Sequence, residues 1–352
     1  MIVAPAVLSP LGQVYEQTHS MLFDLSGAAP SARAMPEYRM DPVGFCEKVL
    51  GIPRYRVVWS LNPGFVDANG VFARQCPVCQ GSAWDRSTDK PCGDCSGTGN
   101  TGWDGTADPL AAMLNGLAEG LDVCVEAATG TQKSYTCACA LLWFLACWEG
   151  ARVFTFAFVE AQLRSYMWKE VRQLWPAFQA HFPSATLLDL EIRMRGGQDN
   201  SWGAIGVSVK KRAGEEVAVA AQGMHAPHML LIYEEMPAID WGTVLAGENT
   251  CTAPHNLRLG VGNPDNQLDS LHLFGFDDLT GQPRSDVKCI RISALDHPNY
   301  VCDDADIVPG AASVKSIERR RTRRGNADRL FKSRVRGISP TEAADALIKL
   351  EW

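Results

Sequence analysis

Apolar positions fall in short blocks whose period changes along the chain. In 41–52, "DPVGFCEKVLGI", and 108–120, "DPLAAMLNGLAEG", they recur at helical spacing, each block opened by Asp-Pro and closed by Gly51 or Gly120. Residues 122–128, "DVCVEAA", form a short β-type run. A loop follows, and then an almost wholly apolar stretch over 134–149 that predicts a helix. A second apolar strand is predicted over 151–158 and an amphipathic helix over 160–175. Residues 185–195, 203–212, 228–235, 256–264 and 288–296 read as further strands. Strands alternating with helices predict an α/β fold, a mostly parallel sheet sandwiched by helices. Residues 1–40 predict an irregular or weakly helical lead-in, and no internal repeat is visible.

A chain of 352 residues suffices for one large α/β domain with additions, or for two ordinary domains. With 46% hydrophobic and 21% charged residues the composition is globular, which excludes a disordered chain. The net charge of −7 conceals an asymmetry, because ten Lys/Arg and only two acids, Glu318 and Asp328, lie between Lys315 and Arg336. A basic run on an acidic body points to a polyanion contact; a solvated, charge-rich helix is the plain alternative. "MIVAPAVLSP" lacks a basic start and meets Pro early, so no secretory signal is expected. No run of about 18 uncharged apolar residues occurs, so no membrane span is expected. Twelve cysteines then argue for a reducing compartment, most of them as free thiols in the core.

Four cysteines stand apart. Cys76-x-x-Cys79 and Cys92-x-x-Cys95 are separated by twelve residues, spacing that suits one tetrahedral Zn²⁺. Gly81, Gly97 and Gly99 permit the tight turns of two knuckles. Four thiolates leave no open position, so the zinc is expected to be structural. The pattern resembles the zinc knuckles of the DnaJ cysteine-rich region over about 24 residues, without any J-domain signature. Two disulfides or four free thiols are the alternatives.

The loop after residues 122–126 carries candidate chemistry. A phosphate-binding loop reads G-x-x-x-x-G-K-[ST]. Lys133 and Ser134 occupy the last two places, but Ala127 and Gln132 replace the glycines, leaving Gly130 as the loop's own glycine. Strand, tight loop and helix start are the context in which backbone N–H groups cradle phosphates. Ala127 is small, and Gln132 suits the loop end provided its φ stays negative. Gly130, Thr131, Gln132, Lys133, Ser134 and Tyr135 are the candidate ATP contacts, with Lys133 on the β/γ-phosphates and Ser134 on Mg²⁺. In "MLLIYEE" (229–235) the strand ends in Glu234, a candidate for the Mg²⁺ water shell, and Glu235, a candidate to orient the attacking water. A strand with a charged end at the surface is the alternative. The next strand ends in the polar tip Gly262-Asn263-Pro264.

Together these segments resemble the large terminase subunit of tailed bacteriophages, a DNA-packaging motor. "DVCVEAATGTQKSYTCACALLWFL" is similar to its Walker A region and "QGMHAPHMLLIYEEMPAID" to its Walker B region. "VGNPDNQLDSLHLF" is similar to its coupling motif, and "ISALDHPN" and "RVRGISP" to the stretches closing its ATPase domain. The likeness covers about 250 residues, nearly everything outside the cysteine insertion. It implies a P-loop NTPase of RecA-like kind whose ATP hydrolysis drives double-stranded DNA into a procapsid. Glu235, Lys133 and Asn263 would then be catalytic, Asn263 as the γ-phosphate sensor. The family's loop arginine is missing, with Glu126, Ala127 and Ala128 in its place. An arginine finger would come from elsewhere, with Arg164, Arg193 and Arg195 as candidates. The resemblance further implies a portal protein, a small terminase subunit and a homo-oligomeric ring as partners, in the host cytoplasm. In the family a segment like "ALIKLEW" leads into an RNase H-like nuclease domain, so nuclease activity is not expected of a chain ending at Trp352. A truncation, a split gene product and an isolated motor domain are the alternatives for that ending.

The expected organisation is a lead-in over 1–75, a zinc-knuckle insertion over 76–99, an ATPase core over 100–310 and a basic lid or linker over 311–352. The competing functions are a degenerate P-loop module serving as a nucleic-acid-binding or assembly scaffold, and another zinc-bearing nucleic-acid ATPase or helicase. A chaperone module rests on the cysteines alone.

Overall fold

The computed structural model describes residues 33–62, 84–85, 90–91, 108–195, 201–209, 225–277, 280–326 and 328–340. The body is an eight-stranded sheet. Its strands are β3 (Asp122–Ala127), β4 (Arg152–Ala157), β5 (Thr186–Leu187), β6 (Glu191–Arg193), β7 (Gly203–Ser208), β8 (His228–Glu234), β9 (His255–Gly262) and β10 (Val287–Ile292). They lie in the order β10-β3-β9-β8-β4-β7-β6-β5. The first six run parallel, and β6 and β5 add an antiparallel edge. A separate pair, β1 (Trp84–Asp85) and β2 (Lys90–Pro91), joins antiparallel between the two C-x-x-C sequences.

The central strands are largely apolar because helices cover both faces. On one face α3 (Lys133–Cys147) is buried along almost its whole length. It is wrapped by α1 (Pro42–Lys48), α2 (Pro109–Ala118) and α5 (Met167–His181). Both Asp-Pro starts behave as expected, with Pro42 and Pro109 in the first turn. On the other face α6 (Trp241–Thr250) and α7 (Ser270–Gly275) pack with Phe156, Tyr233 and Phe274.

The helix predicted over 160–175 is in fact two, α4 (Glu160–Ser165) and α5, broken at Tyr166 with φ −109° and ψ −97°. At the break the Met167 N–H turns to the Glu234 carboxylate, 3.4 Å away and far along the chain. The strand predicted over 185–195 is likewise split into the short β5 and β6. After α8 (Pro298–Val301), the basic run folds as α9 (Val314–Arg324) and α10 (Arg329–Arg336). Ser313 and Asp328 cap these two helices, and both pack on the loop that follows β3 through Ala128, Ala312, Ile317, Phe331 and Val335. No helix among the described residues is long and apolar enough to cross a membrane. Cys46, Cys124, Cys137, Cys139 and Cys147 are buried free thiols.

Candidate functional site

Four parallel strands end level at one edge of the sheet. The register pairs Ala127 with Ile292, Glu126 with Gly262, and Glu234 with Val261. Ligands of open α/β sheets bind outside such carboxyl ends.

The loop after β3 is anchored from several sides. The Ala128 N–H donates to the Ile292 carbonyl (2.7 Å) and the Thr129 N–H to the Arg334 carbonyl (2.9 Å). The Gly130 carbonyl accepts from the Ala312 N–H (2.9 Å). The buried Thr131 hydroxyl donates to the Ala128 carbonyl (2.9 Å). With its stem so fixed, the loop leaves the N–H groups of Gly130, Thr131 and Gln132 without a protein acceptor among the described residues. The first turn of α3 adds further free N–H groups by helix geometry. Converging donors at a helix start form an anion cradle.

Gln132 does not meet the condition set for it by the sequence. Its φ is 63° and ψ 17°, the left-handed conformation rather than a negative φ. The loop enters the helix by the backbone shape that the motif's glycine would adopt without strain, and a glutamine adopts it here. Its Oε1 atom is buried and unpartnered.

Lys133 and Ser134 open α3 beside the end of β8. Lys133 Nζ lies 3.0 Å from Glu235 Oε1. Glu235 itself is left-handed, with φ 49° and ψ 46°. Left-handed non-glycine residues such as Gln132, next to Lys133 in the chain, and Glu235, paired with its ammonium, are a feature of functional sites. Glu234 is fully buried and its Oε1 has no partner. Burial, aided by the charge of Glu235, pushes its carboxyl up to about 7 against hydrogen bonds from Ser134 and Met167 and the pull of Lys133. Asn263, 6% exposed, donates from Nδ2 to the Ala127 carbonyl at 2.5 Å. Tyr135 is half-buried beneath the Arg56 guanidinium, 5.6 Å from its ring centroid, and burial raises its phenol. The fold thus brings Lys133, Ser134, Glu234 and Glu235 together, with Asn263 joined to the strand that enters the loop.

Ser134 beside an unpartnered carboxylate oxygen of Glu234 fits the hard-oxygen preference of Mg²⁺, which keeps waters and phosphate oxygens as its other ligands. Among the described residues no three His, Cys, Asp or Glu side chains form a metal cage. Cys76, Cys79, Cys92 and Cys95 lie outside the described residues. The three candidate finger arginines are each held by carboxylates of their own chain: Arg164 by Glu160 and Asp189, Arg193 by Glu191 and Arg195 by Glu149.

Sequence reading missed the carbonyl of Arg334, the N–H of Met167 and the close approach of Gly337 to the loop. Gly337, at φ 63°, ends α10 just past a basic last turn, a helix-stop signal that was legible.

The chain matches no family model and no curated protein. Among solved structures it is similar to the large terminase ATPase domain of Thermus phage P74-26, at 15% identity and a TM-score of 0.44, over 61% of this chain and 87% of that one. It is also similar to the large terminase of a second thermophilic bacteriophage, at 10% identity and a TM-score of 0.48, over 67% of this chain and 54% of that one. The same terminase in complex with ADP matches at 11% identity and a TM-score of 0.46, over 65% and 52%. The chain spans about half the length of that second terminase.

Proposed function

We propose that this chain hydrolyses ATP as the motor portion of a large terminase, coupling hydrolysis to movement of double-stranded DNA into a procapsid. One observation carries the reading. An open N–H cradle, Lys133 paired to Glu235, and a buried, half-satisfied Glu234 beside Ser134 meet at the strand ends. In this reading the N–H groups of Gly130, Thr131 and Gln132 and the start of α3 hold the phosphates. Lys133 neutralises their developing charge and Glu235 orients the attacking water. Ser134 and Glu234 would hold Mg²⁺, which supplies further charge neutralisation at the phosphates. Asn263, tied to Ala127, senses the phosphate end, and Tyr135 flanks the nucleoside. The reading assigns the site to a P-loop NTPase of RecA-like kind, with β9 and its Asn263 between the loop strand and the acid-pair strand.

The motor partners come from the sequence resemblance: DNA, a portal protein, a small terminase subunit and a ring of copies, in the host cytoplasm. Lys315–Arg336 is the proposed DNA or neighbour contact, since a motor needs phosphate contacts and no base readout. The four cysteines are proposed to hold a structural zinc on spacing alone. A second reading, a degenerate module that keeps the fold as a scaffold, is favoured by the strained Gln132 in a glycine's place.

ATP hydrolysis with and without double-stranded DNA, beside Lys133→Ala and Glu235→Gln, separates the two. Turnover in the wild type that both variants lose supports the motor. A folded wild type that binds no nucleotide sinks it and leaves the scaffold.

A further inference from the structure

Glu126 takes no part in the site above, yet it is a buried carboxylate one residue before its edge. It is 1% exposed within β3. Its Oε1 lies 2.9 Å from His272 Nδ1, and its Oε2 is buried without a partner. An apolar side chain would fill the same space at lower free energy, so packing alone does not account for a half-satisfied carboxylate here.

His272 lies on α7, directly after the segment that carries Asn263. Its ring stacks on Phe276 with centroids 4.3 Å apart and planes 7° apart, which fixes its orientation. Its backbone N–H donates to Asp269 Oδ1 at 2.9 Å. The other oxygen of Asp269 accepts the N–H groups of Asp265 (2.7 Å) and Asn266 (3.0 Å). The run from Asn263 to His272 is therefore folded on Asp269 and fastened to β3 at both ends. At one end the Asn263 amide meets the Ala127 carbonyl; at the other His272 meets Glu126. Adjacent strand residues thus hold the two ends of one loop in a closed ring of hydrogen bonds. If His272 slips, Asp269 and the turn that aims Asn263 slip with it.

We propose that Glu126 and His272 are a positioning pair for Asn263, holding the loop of the phosphate sensor in register with the strand that enters the nucleotide loop. The inference rests on the ATPase reading and extends it to residues that touch no substrate. Its effect falls on turnover, because the phosphate cradle does not contain either residue.

The test measures kcat, KM and nucleotide affinity for the full chain and three variants. His272→Phe keeps the stacking ring and removes the donor. Glu126→Leu removes the acceptor. His272→Asn offers an amide donor near the place of Nδ1. The expected result is a kcat about tenfold lower in His272→Phe and in Glu126→Leu, with nucleotide affinity within about twofold of wild type. His272→Asn recovers most of the loss. Either of the first two variants decides the matter if the other does not fold. Wild-type kcat in a folded variant overturns the pair, as does a loss of binding equal to the loss of turnover. A wild-type chain without turnover overturns the ATPase reading and this inference with it.

Discussion

Lys133 Nζ lies 3.0 Å from Glu235 Oε1, so the cation and the carboxylate to which the proposed ATPase gives separate tasks hold each other. In the proposed reaction an arriving γ-phosphate would compete with Glu235 for one ammonium group. Success leaves Glu235 free to face the water, which links binding to activation. Glu235→Gln removes the competing charge and keeps the shape. It should bind nucleotide more tightly than wild type while kcat falls by about 100-fold or more. Equilibrium titration and single-turnover hydrolysis check the two halves; weaker binding in the variant would contradict the competition.

Gln132 holds a left-handed backbone and a buried, unpartnered amide oxygen. The conformation costs a non-glycine residue about 1–2 kcal/mol. The unpaired oxygen adds roughly 1 kcal/mol. Glycine returns about 0.5–1 kcal/mol of this through the greater freedom of the unfolded chain. Gln132→Gly should therefore raise stability by about 1 kcal/mol in urea unfolding at an unchanged slope. Gln132→Val should lower it, because a β-branched residue suits that φ least.

Arg319, Arg320, Arg323 and Arg324 line a surface cavity of about 560 Å³ together with Asp328. Arg324 approaches Asp328 at 3.7 Å and Arg320 reaches the Arg334 carbonyl at 3.4 Å. If this cavity takes DNA phosphates, binding will be insensitive to sequence and steeply dependent on salt. Replacing Arg319 and Arg323 together by Ala should reduce the slope of log K against log salt by about 2. An unchanged slope would remove the cavity from the DNA path.

The sheet was legible because β3, β8 and β9 are largely apolar, with β8 running into an acid pair and β9 into a polar tip. The fold draws the acid pair at the end of β8 to Lys133 at the start of α3, and ties Asn263, just past β9, to the Ala127 carbonyl. The helix Trp241–Thr250 was not legible, since "WGTVLAGENT" mixes glycine, threonine and apolar residues with little helical period. The break at Tyr166 was hidden by a pattern that runs through it; the Met167 N–H turns there to Glu234, far along the chain. The bond from Thr129 to Arg334 joins distant stretches of chain, and no local periodicity encodes it. His272 stands in a helix of six residues whose partner is a strand residue far earlier in the chain.

Gly337 holds the nucleotide loop through the room it leaves. A Cβ there would lie 2.7 Å from the Ile292 carbonyl oxygen, 3.0 Å from that of Glu126 and 3.2 Å from the Ala128 nitrogen, all backbone atoms. Gly337→Ala should cost about 2–3 kcal/mol and weaken nucleotide binding, because the Ala128 and Thr129 anchors must shift. Gly325 is the control. It too is at positive φ, 76°, but a Cβ there meets nothing within 4 Å. With ψ at 163° its backbone lies in a region that essentially only glycine adopts, so Gly325→Ala should cost about 1–3 kcal/mol, yet leave nucleotide affinity unchanged. Equal effects of the two substitutions on affinity would refute the role of Gly337.

Glu234 should leave its mark on the pH dependence of stability. Its carboxyl titrates near the ordinary 4.5 in the unfolded chain and at about 7 in the folded one, with burial the main cause. Between those values the folded chain binds the extra proton, so stability falls as pH rises, by up to about 3 kcal/mol. His255 and His297 act in the opposite sense. Burial holds both at about 4 against an ordinary 6.5, with the charges of His228 and Arg39 adding to the effect at His255. There the unfolded chain binds the extra protons, and stability rises with pH from about 4 to about 6.5. The wild-type curve mixes these slopes, whereas the difference between wild type and Glu234→Gln isolates the carboxylate. Without nucleotide, Glu234→Gln should be the more stable protein at pH 8. The margin should shrink as pH falls from about 7 and vanish below pH 4.5, where Glu234 becomes protonated in both states. A margin that does not change with pH would mean that Glu234 titrates alike in the folded and unfolded chain.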